Sequence, residues 1–191
     1  MILLLFLVPL LLLSILVISF MIARTPPLDK QKRRLAEGIG MFEDKRFEEA
    51  FLFFDNRIRN GEKCCMTYLY RGLCHAKKEN LNSALYDLTT VLSYDNSVVE
   101  VYLERGKIYF SLGEMDKALR EFERAFFYSH GKKADILRYR GLVLMEKGQY
   151  FQAARYLSKA VELGDEEANH LLMAPPFYNS LGFSKDPYNN F

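Results

Sequence analysis

The stretch YLERGKIYFSLGEMDKALREFERAF, residues 102–126, decides the fold of this chain. It carries a glycine, Gly106, and an alanine twelve residues later, Ala118. The same pair occurs four times, at steps of 34, 34 and 35 residues, as Gly38/Ala50, Gly72/Ala84, Gly106/Ala118 and Gly141/Ala153. A fixed period of this length indicates an array of repeated structural units.

Each glycine falls inside a predicted helix, where glycine costs about 1 kcal/mol relative to alanine. Four glycines in register therefore need a packing reason, and the close approach of two antiparallel helices supplies one. Larger residues one turn away fill the space between the helices. Four residues before the glycine stand Tyr68, Tyr102 and Leu137, and three residues after it stand His75, Tyr109 and Leu144. Four residues after the alanine stand Phe54, Leu88, Phe122 and Leu157.

The period and the residue pattern resemble the tetratricopeptide repeat over residues 31–163. The resemblance implies an all-α, right-handed superhelical array of four helix-turn-helix repeats, at about 31–63, 65–97, 99–131 and 134–163. In repeats 3 and 4, Gly113 and Gly148 are expected to end the first helix. Repeat 1 departs most from the pattern, because Arg34 stands where a large apolar residue is usual and Arg57 where alanine is usual.

A short helix is predicted at 165–173, with acidic residues in its first turn. It is expected to cap the open end of the array and to complete a repeat domain of residues 31–174. The tail, residues 175–191, holds Phe177, Tyr178, Phe183, Tyr188 and Phe191. Because disordered tails are usually poor in aromatic residues, this tail is expected to dock on its own array or on a partner.

The segment from Ile2 to Ala23 holds no charged residue over 22 positions. As a helix it would be roughly 33 Å long, enough to cross a hydrocarbon core of about 30 Å. A cleaved secretory signal is the alternative, but the apolar run is long for one and no basic residue precedes it. We therefore predict a transmembrane signal-anchor at residues 1–24, followed by a linker at 25–30.

Basic residues follow the predicted span: Arg24, Lys30, Lys32, Arg33 and Arg34. The positive-inside rule then places the repeats in the cytoplasm of a single-pass membrane protein. The same cluster is able to meet anionic headgroups, although a topology signal is the simpler interpretation.

Composition and motifs argue against several function classes. A net charge of +2 gives no support for nucleic-acid binding. Cys64, Cys65 and Cys74 lack metal-ligand spacing, and the three histidines are scattered. No nucleophile and base pair, phosphate loop or paired carboxylates stand out, so neither an enzyme nor a cofactor or metal site is predicted.

In arrays of this family the first helices usually line a concave groove that binds a partner. Carried over by position, the groove residues predicted here are Leu69, Leu73, Lys77, Leu103, Lys107, Phe110, Arg138, Leu142 and Met145. The family's carboxylate clamp is not matched, because Leu69 and Leu73 stand where clamp residues would. The groove is apolar at its centre, which favours a peptide or an amphipathic helix as guest.

Three arginines directly precede a repeat glycine: Arg71, Arg105 and Arg140. Asp87 and Glu121 lie sixteen residues after Arg71 and Arg105. We predict ion pairs inside each repeat, with a row of anion-binding arginines as the alternative.

Taken together, these features predict a membrane-anchored scaffold or adaptor that binds a protein or peptide partner. The alternative is a periplasmic or lumenal assembly factor, which follows if the N-terminal segment is cleaved or inverted.

Overall fold

The computed structural model describes residues 28–177, and within that range every element is an α-helix. The helices are α1 (Leu28–Arg34), α2 (Ala36–Glu43), α3 (Phe47–Arg59), α4 (Cys65–Lys77), α5 (Leu81–Tyr94), α6 (Val99–Ser111), α7 (Met115–Tyr128), α8 (Ala134–Glu146), α9 (Tyr150–Glu162) and α10 (Glu166–Leu172). They form the predicted helical repeat array. Repeat 1 is α1 and α2 with α3, repeat 2 is α4 with α5, repeat 3 is α6 with α7, and repeat 4 is α8 with α9.

The first helices of consecutive repeats contact one another: α2 meets α4, α4 meets α6, and α6 meets α8. Within residues 28–177, the second helices of consecutive repeats contact one another less than the first helices do. The array therefore curves with its first helices on the inner side. The right-handed sense of the superhelix stays a prediction.

The repeat glycines mark the points where the two helices of a repeat approach most closely. A Cβ atom added to Gly106 would lie 2.5 Å from Cε1 of Phe122, and one added to Gly141 would lie 2.8 Å from Cγ of Leu157. Phe122 and Leu157 are fully buried, so neither has room to move aside. The packing reason inferred for these glycines is confirmed.

The turn inside each repeat contains one residue in the left-handed conformation. These residues are Lys45, Glu79, Gly113 and Gly148, with φ between 60° and 75°. Glycine takes this conformation without strain and commonly follows a helix end. Helix α6 ends at Ser111 and α8 at Glu146, as the two glycines predicted.

Repeat 1 begins with a broken helix. At Leu35, φ is −106° and ψ is 11°, and this residue separates α1 from α2 while its side chain is fully buried. Arg34, the outlier at the apolar position, stays exposed and forms an ion pair with Glu62. Glu62 also accepts from Arg57 at 3.3 Å, so both atypical arginines of this repeat share one carboxylate. Helix α1 starts at Leu28, inside the predicted linker.

Helix α10 covers the end of repeat 4. The carboxylate of Asp165 accepts a hydrogen bond from the backbone N–H of Ala168 at 2.9 Å and caps this helix. Phe177 is 1% exposed, packs among buried residues of α8, α9 and α10, and has its ring centroid 6.3 Å from that of Tyr150. Docking of the tail on its own array is therefore confirmed for Phe177, while residues 178–191 lie outside the described range.

No helix within residues 28–177 is long and apolar enough to cross a membrane. The predicted span from Ile2 to Ala23 lies outside the described residues.

Candidate peptide-binding groove

The inner surface of the array carries a row of half-buried apolar side chains. Leu73 of α4, Phe110 of α6, and Leu142 and Met145 of α8 are neither fully exposed nor fully buried. Leu73 and Leu142 stand one residue after the repeat glycine, and Phe110 and Met145 stand four residues after it, so they lie on the same face of their first helices, one turn apart. These four predicted groove residues have the exposure that contact with an apolar guest requires.

Two other predicted groove residues are buried in the core. Leu69 and Leu103 are each 6% exposed and belong to the hydrophobic clusters between the helices. They leave almost no surface for a guest. Their role in the structure is to support the helices that carry the groove, and we leave them out of the contact surface.

Tyrosines add to the groove at a position that sequence reasoning missed. Tyr70 and Tyr139 each stand two residues before a repeat glycine and are half-buried. The ring of Tyr70 stacks on Phe54 at 5.3 Å and meets the edge of Phe42 at 5.5 Å. Tyr139 stacks on Phe122 at 5.3 Å. The sequence signal that could have identified them is the tyrosine two residues before the glycine in both repeat 2 and repeat 4.

The basic groove residues are engaged with neighbours. Lys107 Nζ lies 2.7 Å from Glu104 Oε1 and 5.2 Å from the ring centroid of Tyr139. Arg138 pairs with Asp165 at 2.9 Å and with Glu167 at 2.7 Å. Neither Lys107 nor Arg138 is therefore a free cation in the groove. Lys77, by contrast, is exposed and forms no ion pair with a described residue.

Carboxylates of repeats 1 and 3 lie near the groove residue Tyr70. Burial, together with the nearby carboxylates of Glu43 and Glu100, raises the pKa of the Tyr70 hydroxyl. Glu100 itself is bound by Lys133 at 2.8 Å. Lys107, Arg138 and Glu100 are paired, whereas Lys77 and Glu43 form no ion pair with a described residue, so the groove presents mainly apolar and aromatic groups.

The arginines before the glycines face the second helices. Arg71 donates from Nε and Nη2 to Asp87 at 2.8 and 2.7 Å, and from Nη1 to Asp55 of repeat 1 at 2.8 Å. Arg105 donates to Glu121 at 3.3 Å. Both predicted ion pairs are confirmed.

Arg140 differs from the other two arginines because Tyr156 replaces the acid of its repeat. Its guanidinium donates to the Tyr156 hydroxyl at 2.9 Å and lies 3.9 Å from Glu123. Since neighbours in the same array occupy all three guanidinium groups, an anion-binding row of arginines is not supported.

The described residues hold no group of His, Cys, Asp or Glu side chains arranged to bind a metal ion. Cys65 and Cys74 are buried free thiols, and burial raises the pKa of each to about 12. Burial likewise lowers the pKa of His75, whose ring packs edge-on against Phe51 at 5.0 Å.

Comparison with known proteins agrees with this geometry. Residues 99–126 match the sequence model of the tetratricopeptide repeat. Hsp70-Hsp90 organizing protein 3 of Arabidopsis thaliana is 26% identical over 98 residues, which is 51% of this chain and 17% of that protein. The chain thus spans about a sixth of the length of this curated relative.

Two solved structures share the fold. YrrB, described as a TPR protein with an unusual peptide-binding site, superimposes with a TM-score of 0.64 at 21% identity, covering 72% of this chain and 71% of YrrB. TTC0263, a thermophilic TPR protein of Thermus thermophilus, also gives 0.64, at 20% identity and coverage of 79% and 82%. Residues 99–126 thus match the tetratricopeptide repeat, and the helical array shares the fold of solved tetratricopeptide repeat proteins.

Proposed function

We propose that this chain is a membrane-anchored scaffold that holds a protein partner by binding a peptide or an amphipathic helix in its inner groove. One observation carries the proposal: the row of half-buried apolar side chains on the first helices, Leu73, Phe110, Leu142 and Met145, with Tyr70 and Tyr139 beside it. A groove of this kind takes the apolar face of a helix or of an extended peptide.

The guest is apolar rather than strongly acidic. Of the three basic groove residues, Lys107 and Arg138 already have carboxylate partners within 2.9 Å. A guest carboxylate would have to displace Glu104 or Asp165, at the cost of an existing ion pair. The peptide-binding site described for YrrB, which shares this fold, supports a peptide as the guest.

Attachment to the membrane rests on the sequence from Ile2 to Ala23. Twenty-two uncharged positions followed by basic residues favour an uncleaved anchor with the repeats on the cytoplasmic side. To test the topology, Lys77→Cys is made in a Cys64→Ser background and treated with a membrane-impermeant thiol reagent. Labelling is expected only after the cells are permeabilised. Labelling in intact cells points instead to the periplasmic or lumenal alternative.

The groove is tested by site-specific photo-crosslinking in the full chain. A photoreactive residue replaces Leu142 on the inner surface or Tyr86, which is 70% exposed on a second helix. A discrete crosslinked partner is expected from position 142 and none from position 86. Equal crosslinking at both positions, or crosslinking at 86 alone, rules out the groove as the binding surface.

A groove variant provides the functional counterpart. Leu142→Asp places a charge on the apolar row and is expected to abolish the crosslink formed from a photoreactive residue at position 110. Tyr86→Asp is the matched control and is expected to leave that crosslink unchanged. Both variants need melting temperatures near that of the parent chain, since loss of fold would also remove binding.

A further inference from the structure

The four repeats meet at three joints, which we call joint 1/2, joint 2/3 and joint 3/4 after the repeats on either side. All three joints have an apolar core, to which equivalent positions of the first helices contribute. These residues are Cys74 at joint 1/2, Val101 and Ile108 at joint 2/3, and Ile136 and Val143 at joint 3/4, none more than 4% exposed. The joints differ in the contacts that surround this core.

Three side-chain pairs cross joint 1/2: a ring stack, an arginine with an acid, and a lysine with an acid at the turns inside the repeats. The ring centroids of Phe54 and Tyr70 lie 5.3 Å apart, Arg71 Nη1 lies 2.8 Å from Asp55 Oδ1, and Lys78 Nζ lies 2.6 Å from Glu48 Oε2. Each pair joins the second helix of repeat 1 to the first helix of repeat 2 or to its end.

The same three pairs recur at joint 3/4, at equivalent positions of the repeat. The ring centroids of Phe122 and Tyr139 lie 5.3 Å apart, Arg140 Nη2 lies 3.9 Å from Glu123 Oε1, and Lys147 Nζ lies 2.5 Å from Asp116 Oδ1. The guanidinium of Arg140 also lies over the ring of Phe126, 5.0 Å from its centroid. Repeats 3 and 4 are therefore held together in the same way as repeats 1 and 2.

Joint 2/3 lacks all three pairs. The residues at the equivalent positions are Leu88 with Glu104, Thr89 with Arg105, and Asn82 with Leu112. None of these combinations forms a ring stack or an ion pair. Within residues 28–177, no ion pair, ring stack or cation–π contact joins repeat 2 to repeat 3.

The polar side chains at joint 2/3 are engaged inside their own repeats. The hydroxyl of Thr89 donates to a carbonyl of its own helix at 2.6 Å, and Glu104 pairs with Lys107 at 2.7 Å. Arg105 donates to Glu121 at 3.3 Å, and its buried Nε has no hydrogen-bond acceptor among the described residues. The acid that would receive this Nε or its neighbours at the other joints is absent here, because Thr89 stands in its place.

The chain itself connects the two sides of joint 2/3 through the turn at 95–98. The hydroxyl of Tyr102 donates to the carbonyl of Asn96 at 2.7 Å, and the ring of Tyr102 stacks on Tyr128 at 5.3 Å. The turn is therefore fixed to repeat 3. Asn82 and Leu112 lie at the opposite edge of the array, beside the turns inside the repeats. A rotation about the turn at 95–98 separates that edge without breaking an ion pair.

We infer that joint 2/3 is a pivot, which divides the array into two bodies, residues 28–94 and 99–177, that rotate about the turn at 95–98. Apolar packing is non-directional and permits small rotations, whereas ring stacks and charge-assisted hydrogen bonds have a preferred geometry. Because repeats in such an array contact only their neighbours, each joint sets its own stiffness.

The pivot changes the width of the groove. Leu73 lies on the first body, whereas Phe110 and Leu142 lie on the second. Rotation at joint 2/3 therefore alters the distance between these apolar groups, which lets the groove adjust to guests of different thickness. This consequence rests on the proposed function, while the pivot is a property of the chain without a guest.

Electron paramagnetic resonance of spin-label pairs tests the pivot in the full chain, held in lipid nanodiscs without a partner. A Cys64→Ser background leaves only buried native thiols. Labels are attached at four exposed, equivalent positions of the second helices: Leu52, Tyr86, Arg120 and Arg155. The pairs 52/86, 86/120 and 120/155 then span one joint each. The distance distribution of 86/120 is expected to be broader than the other two by about 2 Å or more, the scale of a domain rearrangement. Equal widths at the three joints overturn the inference.

Matched variants add and remove the crossing pairs. N82D/T89D/L112K gives joint 2/3 the arginine–acid and lysine–acid pairs of the other joints, and is expected to narrow the 86/120 distribution to the width of 120/155. E48N/K78L makes the reverse replacement at joint 1/2, and is expected to broaden 52/86 and leave 86/120 unchanged. A joint 2/3 that stays as broad with the added pairs overturns the inference. If a variant melts below the parent chain, the three parental widths decide.

The measurement is separate from the test of the groove, because no guest is present. If 86/120 is the broadest pair but a photoreactive residue at position 142 captures no partner, the pivot stands and the groove fails. If the three widths are equal and position 142 does capture a partner, the groove stands and the pivot fails.

Discussion

Gly106 and the ring of Phe122 occupy one shared space, because the Cβ atom that glycine lacks would lie 2.5 Å from Cε1 of Phe122. Phe122 is fully buried between the helices of repeat 3 and also stacks on Tyr139 of repeat 4. The glycine therefore controls packing inside one repeat and contact with the next.

Gly106→Ala is expected to destabilise the array by about 1–3 kcal/mol through overpacking, although alanine is the better helix former. Gly40→Ala is the matched control, because a Cβ atom at Gly40 in α2 meets nothing within 4 Å. The control is expected to stabilise by up to about 1 kcal/mol. Urea unfolding of both variants measures the difference, and a destabilising Gly40→Ala would contradict the packing argument.

Arg138 ties the capping helix to repeat 4 through Asp165, the residue that also caps α10. Arg138→Met is expected to cost about 1.5–3 kcal/mol, the range for a hydrogen bond between charged groups. In this variant the rate of backbone amide hydrogen exchange is expected to rise first in Glu166–Leu172 and only later in the other helices. Arg155→Met, at an exposed arginine with no ion pair in the described range, serves as the control and leaves α10 unchanged.

Glu121 introduces a pH dependence into stability. Burial raises the pKa of its carboxyl group above the ordinary value of 4.5, against the opposing effect of Arg105. Because the folded state holds this proton more tightly than the unfolded state, the contribution of Glu121 to stability falls as pH rises from 4.5 through the folded-state pKa.

Glu121→Gln is therefore expected to be more stable than the parent chain near neutral pH, by up to about 1 kcal/mol. The difference is expected to shrink towards pH 4.5, because this pH lies below the raised pKa of the parent carboxyl, which is then more than half protonated in the folded state. Urea unfolding between pH 4.5 and neutral pH measures this difference in the free energy of unfolding. Glu162→Gln, at an exposed position, serves as the control. A difference that grows on acidification would show that the ion pair with Arg105 dominates.

Thiol labelling tests the packing of repeat 2. Cys64 is half-exposed, whereas Cys65 and Cys74 are buried with a pKa of about 12. Because the thiolate is the reactive form, one thiol is expected to react in the folded chain and two more only in urea. Rapid labelling of all three without denaturant would show that α4 does not pack as described.

The local rules of the repeat were readable in the sequence, since they depend on residues at fixed offsets. The glycines and alanines at a constant period predicted the close helix pairs, and the offset of sixteen predicted Arg71 with Asp87 and Arg105 with Glu121. Both features lie inside one hairpin, whose geometry varies little between repeats. Two residues at a given offset within the hairpin therefore lie at a similar distance in every repeat.

Only the tertiary structure decided how the groove surface is used. Leu69 and Leu103 became core residues, because the tilt of one repeat against the next determines which flank of a first helix is covered. Arg138 forms an ion pair with Asp165, which lies after the last repeat. The repeat period therefore could not predict this pair. The sequence by itself thus determined the helical array and the contacts within each hairpin. Contacts between repeats and at the ends depend on relative rotation, and they decided which predicted groove residues can meet a partner.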